Sequence, residues 1–323
     1  MTEHCSRCNK PIESGGFKTC DACREACRLY RVENREKERE YKNEWTRSFR
    51  QRKRGVRYLE GIHGKYTAEE LAAISKGKGL GSFSVTPPKV KIGHSGEEIR
   101  FGYFTDAHMS SIYYHEEFLD DFIQTCKKRK AQFCIFGGDL THGMDPRKYN
   151  LIYELRDIGY AAQKAYAEEQ LSKIPFHTYL ISGNHDRWYE AMGANIVEDV
   201  CESVPNMEYI GRDEGDIEIS GVLIRVFHGE DGSSYATSYR VQKLIESFTG
   251  GEKPHVLLMG HSHKQGYFFE RHIHAVSGGA LSTQSRWMRS KRLANHTGYH
   301  FITMGVDEEG ITEFTVTFRP FYV

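Results

Sequence analysis

An α/β fold is predicted for residues 89–323, behind a small N-terminal module. From residue 89 onward, apolar runs of strand length alternate with segments of helical period, as in layered α/β domains. Five of those runs lead within three residues to Asp, Asn or His. The closing stretches, 275–281, 299–306 and 312–318, read as antiparallel strands that complete a second sheet.

The chain has 323 residues, enough for one large domain and a smaller one. Its 44 basic and 44 acidic residues cancel, so whole-chain charge selects no partner. The balance is uneven along the chain. Between Arg24 and Arg57 there are 13 Lys/Arg against 6 Asp/Glu, a net of +7, which leaves −7 for the remainder. No apolar run approaches the roughly 18 residues of a membrane span. Met1-Thr2-Glu3-His4-Cys5 lacks the charged-then-apolar pattern of a signal peptide. A cytoplasmic protein without membrane contact is expected, and nothing in the sequence specifies an oligomeric state.

Residues 1–28 hold Cys5-x2-Cys8 and Cys20-x2-Cys23, separated by 11 residues that include Pro11, Gly15 and Gly16. Four thiolates on two tight knuckles suit one tetrahedral structural Zn²⁺, with His4 or Cys27 able to replace a ligand. A redox role for CxxC fits less well, because there are two pairs and no βαβ context. Cys126, Cys134 and Cys201 are scattered, as reduced thiols are.

Residues 29–76 are expected to be a basic helical segment. No Gly or Pro occurs from 21 to 54, and Tyr41, Trp45 and Phe49 fall on one helical face. Residues 33–40 contain no apolar side chain, so charge pairs along a solvated helix are expected there. Arg47, Arg50, Arg52, Lys53, Arg54 and Arg57 follow without an intervening acid. Such a run is often a solvated face, but beside a zinc knuckle and two aromatic side chains it suits nucleic acid. Thr67 and Glu70 form a capping-box pattern ahead of Leu71 and Ile74. Gly77, Gly79, Gly81, Pro87 and Pro88 mark 77–88 as a linker.

In the long part, runs 90–92 and 99–104 flank a Gly-containing turn and predict a hairpin. The second run ends in Asp106-Ala107-His108. A helix is predicted over 115–130, with Phe118, Leu119, Phe122, Ile123 and Cys126 on one face. The run 133–136 leads to Gly137-Gly138-Asp139, and a long helical stretch is predicted over 149–172. Run 176–181 ends in Gly183-Asn184-His185-Asp186. Run 222–227 ends in His228, and run 255–259 in Gly260-His261-Ser262-His263.

Each ending taken singly is also an ordinary turn or surface pair. Five in succession form a pattern, since ligands gather at the carboxyl ends of strands in α/β sheets. Oxygen and imidazole donors without thiolates suit Mn²⁺, Fe²⁺ or Zn²⁺. Seven ligands exceed the needs of one ion, and two ions about 3.5–4 Å apart would activate a hydroxide and clamp an in-line phosphoryl displacement.

In this order, the DxH, GGD, GNHD, isolated His and GHSH blocks resemble the calcineurin-like metallophosphoesterases over residues 89–323. The resemblance implies a two-sheet β-sandwich flanked by helices, in four layers αββα, with a dinuclear centre at the strand ends. By position, Asp106, His108 and His263 would hold one ion and Asn184, His228 and His261 the other, with Asp139 bridging. Mn²⁺ is the foremost metal it implies, with Fe²⁺, Zn²⁺ or Ni²⁺ as others. His185 would stabilise the transition state or protonate the leaving oxygen, with Asp186 orienting it. His142, in Gly-Asp-Leu-Thr-His, is similar to a histidine of the superfamily's repair nucleases. Arg187 and Trp188 are candidates for contact with a phosphate and a base.

The expected function is metal-dependent phosphodiester hydrolysis on nucleic acid, as a nuclease or end-processing enzyme. A phosphodiesterase or phosphatase for cyclic or other small nucleotides is the second candidate. A non-catalytic scaffold is the third, and the complete ligand set counts against it.

Overall fold

The computed structural model describes residues 89–323, apart from 94–95, 97, 146–148, 231–235 and 249–252, together with residues 3–4, 11–12, 20–25 and 28. The chain divides into two units, 1–83 and 84–323. In the first, strand β1 (Glu3–His4) pairs antiparallel with β2 (Pro11–Ile12). Residues 21–25 are helical. Of the predicted zinc ligands, Cys20 and Cys23 are described, whereas Cys5 and Cys8 lie outside the described residues. So do the basic segment 29–76 and the linker 77–88.

The second unit contains two six-stranded sheets. One has the order β14-β13-β4-β5-β6-β7, from β4 (Glu98–Phe104), β5 (Phe133–Phe136), β6 (Thr178–Ile181), β7 (Met207–Gly211), β13 (Gly298–Asp307) and β14 (Gly310–Pro320). The other has the order β11-β12-β10-β9-β8-β3. Its strands are β3 (Lys89–Ile92), β8 (Glu214–Ile219), β9 (Val222–Phe227), β10 (Val256–Met259), β11 (Gly266–Glu270) and β12 (Ile273–Ser277).

Alternation along the central strands accounts for the layers. In β4, Ile99, Phe101 and Tyr103 join Ile224, Val226, Val256 and Leu258 of the opposite sheet in a common core. Phe104 belongs instead to the outer core with Phe118, Leu119 and Phe122 of helix α1 (Glu116–Lys128). In β10, Leu257 and Met259 pack under Val241 and Ile245 of helix α4 (Thr237–Ser247). Helices α2 (Tyr160–Leu171) and α3 (Ile196–Ser203) contribute Ala167, Leu171, Val197 and Val200 to the α1 side. Strands buried on both faces read as continuous apolar runs, which is why β5, β6 and β10 stood out. The result is the two-sheet sandwich flanked by helices that the sequence implied. Among the described residues, no helix is long and apolar enough to cross a membrane.

Three local expectations change. The 90–92 run does not form a hairpin with β4, because β13 and β5 occupy both of that strand's edges. β3 pairs parallel with β8 in the opposite sheet, where Val90 and Ile92 meet the common core. The 149–172 stretch is two elements, a 3₁₀ turn Tyr149–Glu154 and then α2, separated at Gly159 with φ 91°. The closing strands are divided, with β12 beside β10 and β13–β14 extending the β4 sheet.

One buried ion pair joins β8 to β9. Arg225 donates to Asp216 through Nε at 2.8 Å and Nη2 at 2.9 Å, and its guanidinium lies 5.3 Å from the Phe248 ring centre. Asp216→Ala is expected to destabilise the domain by about 3–5 kcal/mol, because it leaves a buried guanidinium without its carboxylate. Chemical denaturation of the two proteins measures the difference.

Candidate metal centre

The candidate ligands follow the carboxyl ends of strands from both sheets. β4 leads to Asp106 and His108, β5 to Asp139 and β6 to Asn184 and His185. β9 leads to His228 and β10 to His261 and His263. Five of these residues have a left-handed backbone: Asp106 (φ 53°), His108 (φ 48°), Asp139 (φ 56°), His261 (φ 73°) and His263 (φ 54°). Non-glycine residues rarely adopt that region, and such strain collects at functional sites. Glycine makes the approach close. A Cβ on Gly183 would stand 2.2 Å from Asp139 Oδ1, and one on Gly138 (φ 95°) 2.5 Å from His228 Nδ1.

Three candidate ligand groups result among the described residues: Asp106 with His108 and His263, Asp139 with His228 and His261, and His108 with His142 and His185; the first two contain the carboxylates. In the first, His108 Nε2 and His263 Nε2 are 3.1 Å apart. Two imidazole nitrogens sharing one tetrahedral ion stand about 3.3 Å apart. His263 Nε2 lies 3.2 Å from Asp106 Oδ1. In the second, His261 Nδ1 is 2.7 Å from Asn184 Oδ1, which brings Asn184 into the set. Asp139 Oδ2 lies between the groups, 3.7 Å from His108 Nε2 and 3.2 Å from His228 Nε2. Its other oxygen is held by the His185 backbone N–H at 2.8 Å.

Outer contacts aim the rings. His228 Nδ1 donates to the Gly137 carbonyl at 2.7 Å, leaving Nε2 to face Asp139. That Nε2 is buried and makes no well-aligned hydrogen bond, although Asp139 Oδ2 stands 3.2 Å away, a pairing that a metal ion shared by the two would satisfy. His263 Nδ1 donates to Asn295 Oδ1 at 2.7 Å. The Asn295 amide is fixed because its Nδ2 donates to the Ser282 carbonyl and to Thr297 Oγ1. Thr105 Oγ1 donates to Asp106 Oδ2 at 2.7 Å, and the His261 N–H reaches the same oxygen. The donor set therefore fits two divalent ions, with three side chains on each and one carboxylate between them.

Electrostatics support that assignment. Burial would raise the Asp139 carboxyl, yet the imidazoles of His228, His185 and His108 hold it well below the usual carboxylate range. Burial likewise opposes the ionised form of Asp106, and His263 overcomes it. Burial lowers His108 well below the usual histidine value, with His185 adding to the effect. It also lowers His261 to about 4, with His228 adding to the effect. His228 moves the other way, against burial, to about 9 beside Asp139. The two ionised carboxylates and the lowered His108 and His261 are already in the forms that ligate, whereas His228 and His263, the latter raised beside Asp106, must each give up a proton to bind metal.

His185 projects into the same space without needing to ligate. Its Nδ1 donates to the His142 carbonyl at 2.8 Å, which leaves Nε2 for a substrate oxygen. Its ring centre is 4.5 Å from that of His108 and 4.1 Å from that of Trp188. The sequence expectation that Asp186 orients this imidazole is corrected. The Asp186 carboxylate accepts from the backbone N–H groups of Leu140, Thr141 and Gly183 and from Thr141 Oγ1. It ties the Asp139 loop to the Asn184 loop, and the orienting acceptor is a carbonyl. Burial and the Asp139 charge raise the Asp186 carboxyl to about 6, against the pull of those N–H groups.

The other neighbours separate by contact. Both ring nitrogens of His142 are buried without hydrogen-bond partners, and its centre lies 5.2 Å from that of His185. Burial lowers its pKa to about 3, so the imidazole is neutral. Arg187 is not free for a phosphate, because Asp213 at 2.8 Å and Glu230 at 2.7 Å hold its guanidinium. Trp188 lines a cavity of about 320 Å³ that also contains His108, Asp139, Asn184, His185 and His263. A larger open groove of about 900 Å³ lies beside Gly305 and Asp307 and contains none of these ligands. Asn295 escapes the sequence reading. It follows no apolar run, and a polar residue inside an irregular segment carries no positional signal.

Residues 99–273, more than half of the chain, match the family described as calcineurin-like phosphoesterase. The chain is similar to an archaeal phosphodiesterase at 14% identity and TM-score 0.40, over 68% of this chain and 100% of that one. It is also similar to the phosphoesterase YfcE from E. coli, at 16% identity and TM-score 0.39, over 67% and 98% of the two chains. Vacuolar protein sorting 29 from Cryptosporidium parvum gives 13% identity and TM-score 0.40, over 70% and 99%. Curated proteins gave no match. The family match and the convergence of ligands carry the assignment, and the low-identity structures add nothing to it.

Proposed function

We propose that this chain, which belongs to the calcineurin-like phosphoesterase family and is a metal-dependent phosphoesterase, hydrolyses phosphodiester bonds in nucleic acid. The observation that carries the chemistry is Asp139 Oδ2, placed between His108 of one ligand group and His228 of the other. When bound, two divalent ions, foremost Mn²⁺, supply Lewis acidity and an activated water for in-line displacement. The chain's own residues do the rest. Asp106, His108 and His263 define one ion position, and Asn184, His228 and His261 the other. His185 is held by the His142 carbonyl so that Nε2 can give a proton to the leaving oxygen.

The nucleic-acid assignment rests on residues 24–57, whose net charge of +7 adjoins the Cys5, Cys8, Cys20 and Cys23 set, which we assign to structural zinc. A small-nucleotide phosphodiesterase is the second reading, favoured by the cavity of about 320 Å³, the size of a small ligand. One assay separates them. The full chain with Mn²⁺ is expected to cleave single- or double-stranded DNA or RNA as well as bis(p-nitrophenyl) phosphate. Turnover of the small ester alone would remove nucleic acid as substrate. Nucleic-acid cleavage that survives deletion of residues 1–88 unchanged would remove the delivery role of the N-terminal module.

A further inference from the structure

Beside the metal centre lies a basic and aromatic surface remote in sequence from the basic run 24–57. It is built on helix α5 (Arg286–Ser290) and the two residues after it. Arg286, Arg289, Lys291 and Arg292 are all exposed, and none forms an ion pair among the described residues. No Asp or Glu occurs between Glu270 and Asp307, so the sequence offers these cations no local counter-charge. Within the run stands Trp287, 49% exposed, and it lines the cavity that contains His108 and His263.

Exposed cations are most often a solvated face, and a lone exposed tryptophan needs no explanation. Here the backbone that carries the indole is fixed at the cavity rim by its neighbours. Ser285 Oγ accepts from the Met288 N–H at 3.2 Å, and Tyr113 Oη accepts from the Arg286 N–H at 3.0 Å. Met288 is buried beneath the helix, and Gln284 Nε2 donates to the Leu293 carbonyl at 2.7 Å to close the segment. The chain thus fixes the backbone around an apolar ring that it leaves open to the substrate space. A flat aromatic face with phosphate-binding charges around it is the combination that single-stranded nucleic acids need.

We propose that residues 285–292 form a platform for single-stranded nucleic acid, with Trp287 stacking on an unpaired base next to the scissile phosphate and Arg286, Arg289, Lys291 and Arg292 meeting the phosphates that follow. Single strands are specified because stacking on Trp287 requires an unpaired base and the cavity is too small for a duplex. The proposal rests on the phosphodiesterase reading and names its substrate class.

Binding is measured on the full chain as purified, without chelator or added Mn²⁺, by anisotropy of a fluorescein-labelled phosphorothioate oligothymidylate, which resists cleavage, across a range of NaCl. Loss of two phosphate contacts in the Arg289→Ala/Arg292→Ala variant is expected to reduce the slope of log K against log salt by about 1.4. Trp287→Ala is expected to weaken binding about tenfold through the lost stack. With Mn²⁺, the ratio of kcat/KM for the oligonucleotide to that for bis(p-nitrophenyl) phosphate should fall about tenfold in each variant. Wild-type slope and affinity in both variants would overturn the platform. So would preferential binding of duplex DNA, or binding to phosphatidylserine vesicles that depends on these residues while oligonucleotide binding does not. If the wild type hydrolyses neither compound, the phosphodiesterase reading fails, and the binding measurements still judge the platform.

Discussion

His185→Ala is expected to retain both active-site metal ions and to lose about 10²–10⁴-fold in turnover, the range for removing a positioned general acid. The two halves of this expectation come from different contacts. Asp106, Asp139 and four other imidazoles make up the two carboxylate-containing ligand groups without His185, which falls only in an all-histidine group with His108 and His142. The His185 backbone N–H, which holds Asp139 Oδ1, is kept in the alanine variant. What disappears is the imidazole whose Nδ1 is tied to the His142 carbonyl and whose Nε2 faces the substrate space. A proton donor matters most when the leaving oxygen is basic. The loss should therefore be larger for an alkyl phosphodiester or a nucleic acid than for a p-nitrophenyl ester. Metal analysis of the purified variant, with kinetics on both ester types, checks the two halves separately. Loss of metal would place His185 among the ligands, and equal losses on both leaving groups would make it a stabiliser of the transition state instead of a proton donor.

The parts of this site legible in the sequence share one physical origin. A strand buried on both faces is an apolar run, so a metal-ligating side chain within three residues of its end marks a strand end, as Asp106, Asp139, Asn184, His228 and His261 do. The helix-period segment over α1 was equally plain, because one face alone is buried. Partnership across the fold left no such trace. β3 could not be assigned to a sheet from its own residues, since both edges of its nearest neighbour in sequence are filled from far along the chain. Asp186 looked like a partner of the adjacent His185, yet its acceptors meet N–H groups brought in by the Asp139 loop. Arg187 looked available until Asp213 and Glu230 arrived from other elements. The α5 platform had the right composition but no flanking strand to give it a place.

Asp139→Asn should have the opposite signature to His185→Ala: metal is lost along with activity. The substitution keeps the shape of the side chain, and asparagine tolerates the left-handed backbone at this position (φ 56°), so the turn after β5 is preserved. Its amide oxygen can still accept from the His185 N–H, as Asp139 Oδ1 does at 2.8 Å. The other atom becomes an NH₂ group placed where Oδ2 now lies, 3.2 Å from His228 Nε2 and 3.7 Å from His108 Nε2. A donor there cannot ligate, and it removes the one negative charge shared by both ligand groups. The protein is expected to carry at least one active-site ion fewer per chain. Turnover should fall by at least the roughly 10²–10³-fold that loss of one preorganised electrostatic contact costs. Metal content measured beside that of His185→Ala, with any zinc from residues 1–88 counted in both, gives the comparison. Full occupancy in Asp139→Asn would mean that each ion is held by its own group and that the carboxylate bridges nothing. Depletion in Asp139→Asn with full occupancy in His185→Ala would divide ligand from proton donor among residues that lie within one hydrogen bond of each other.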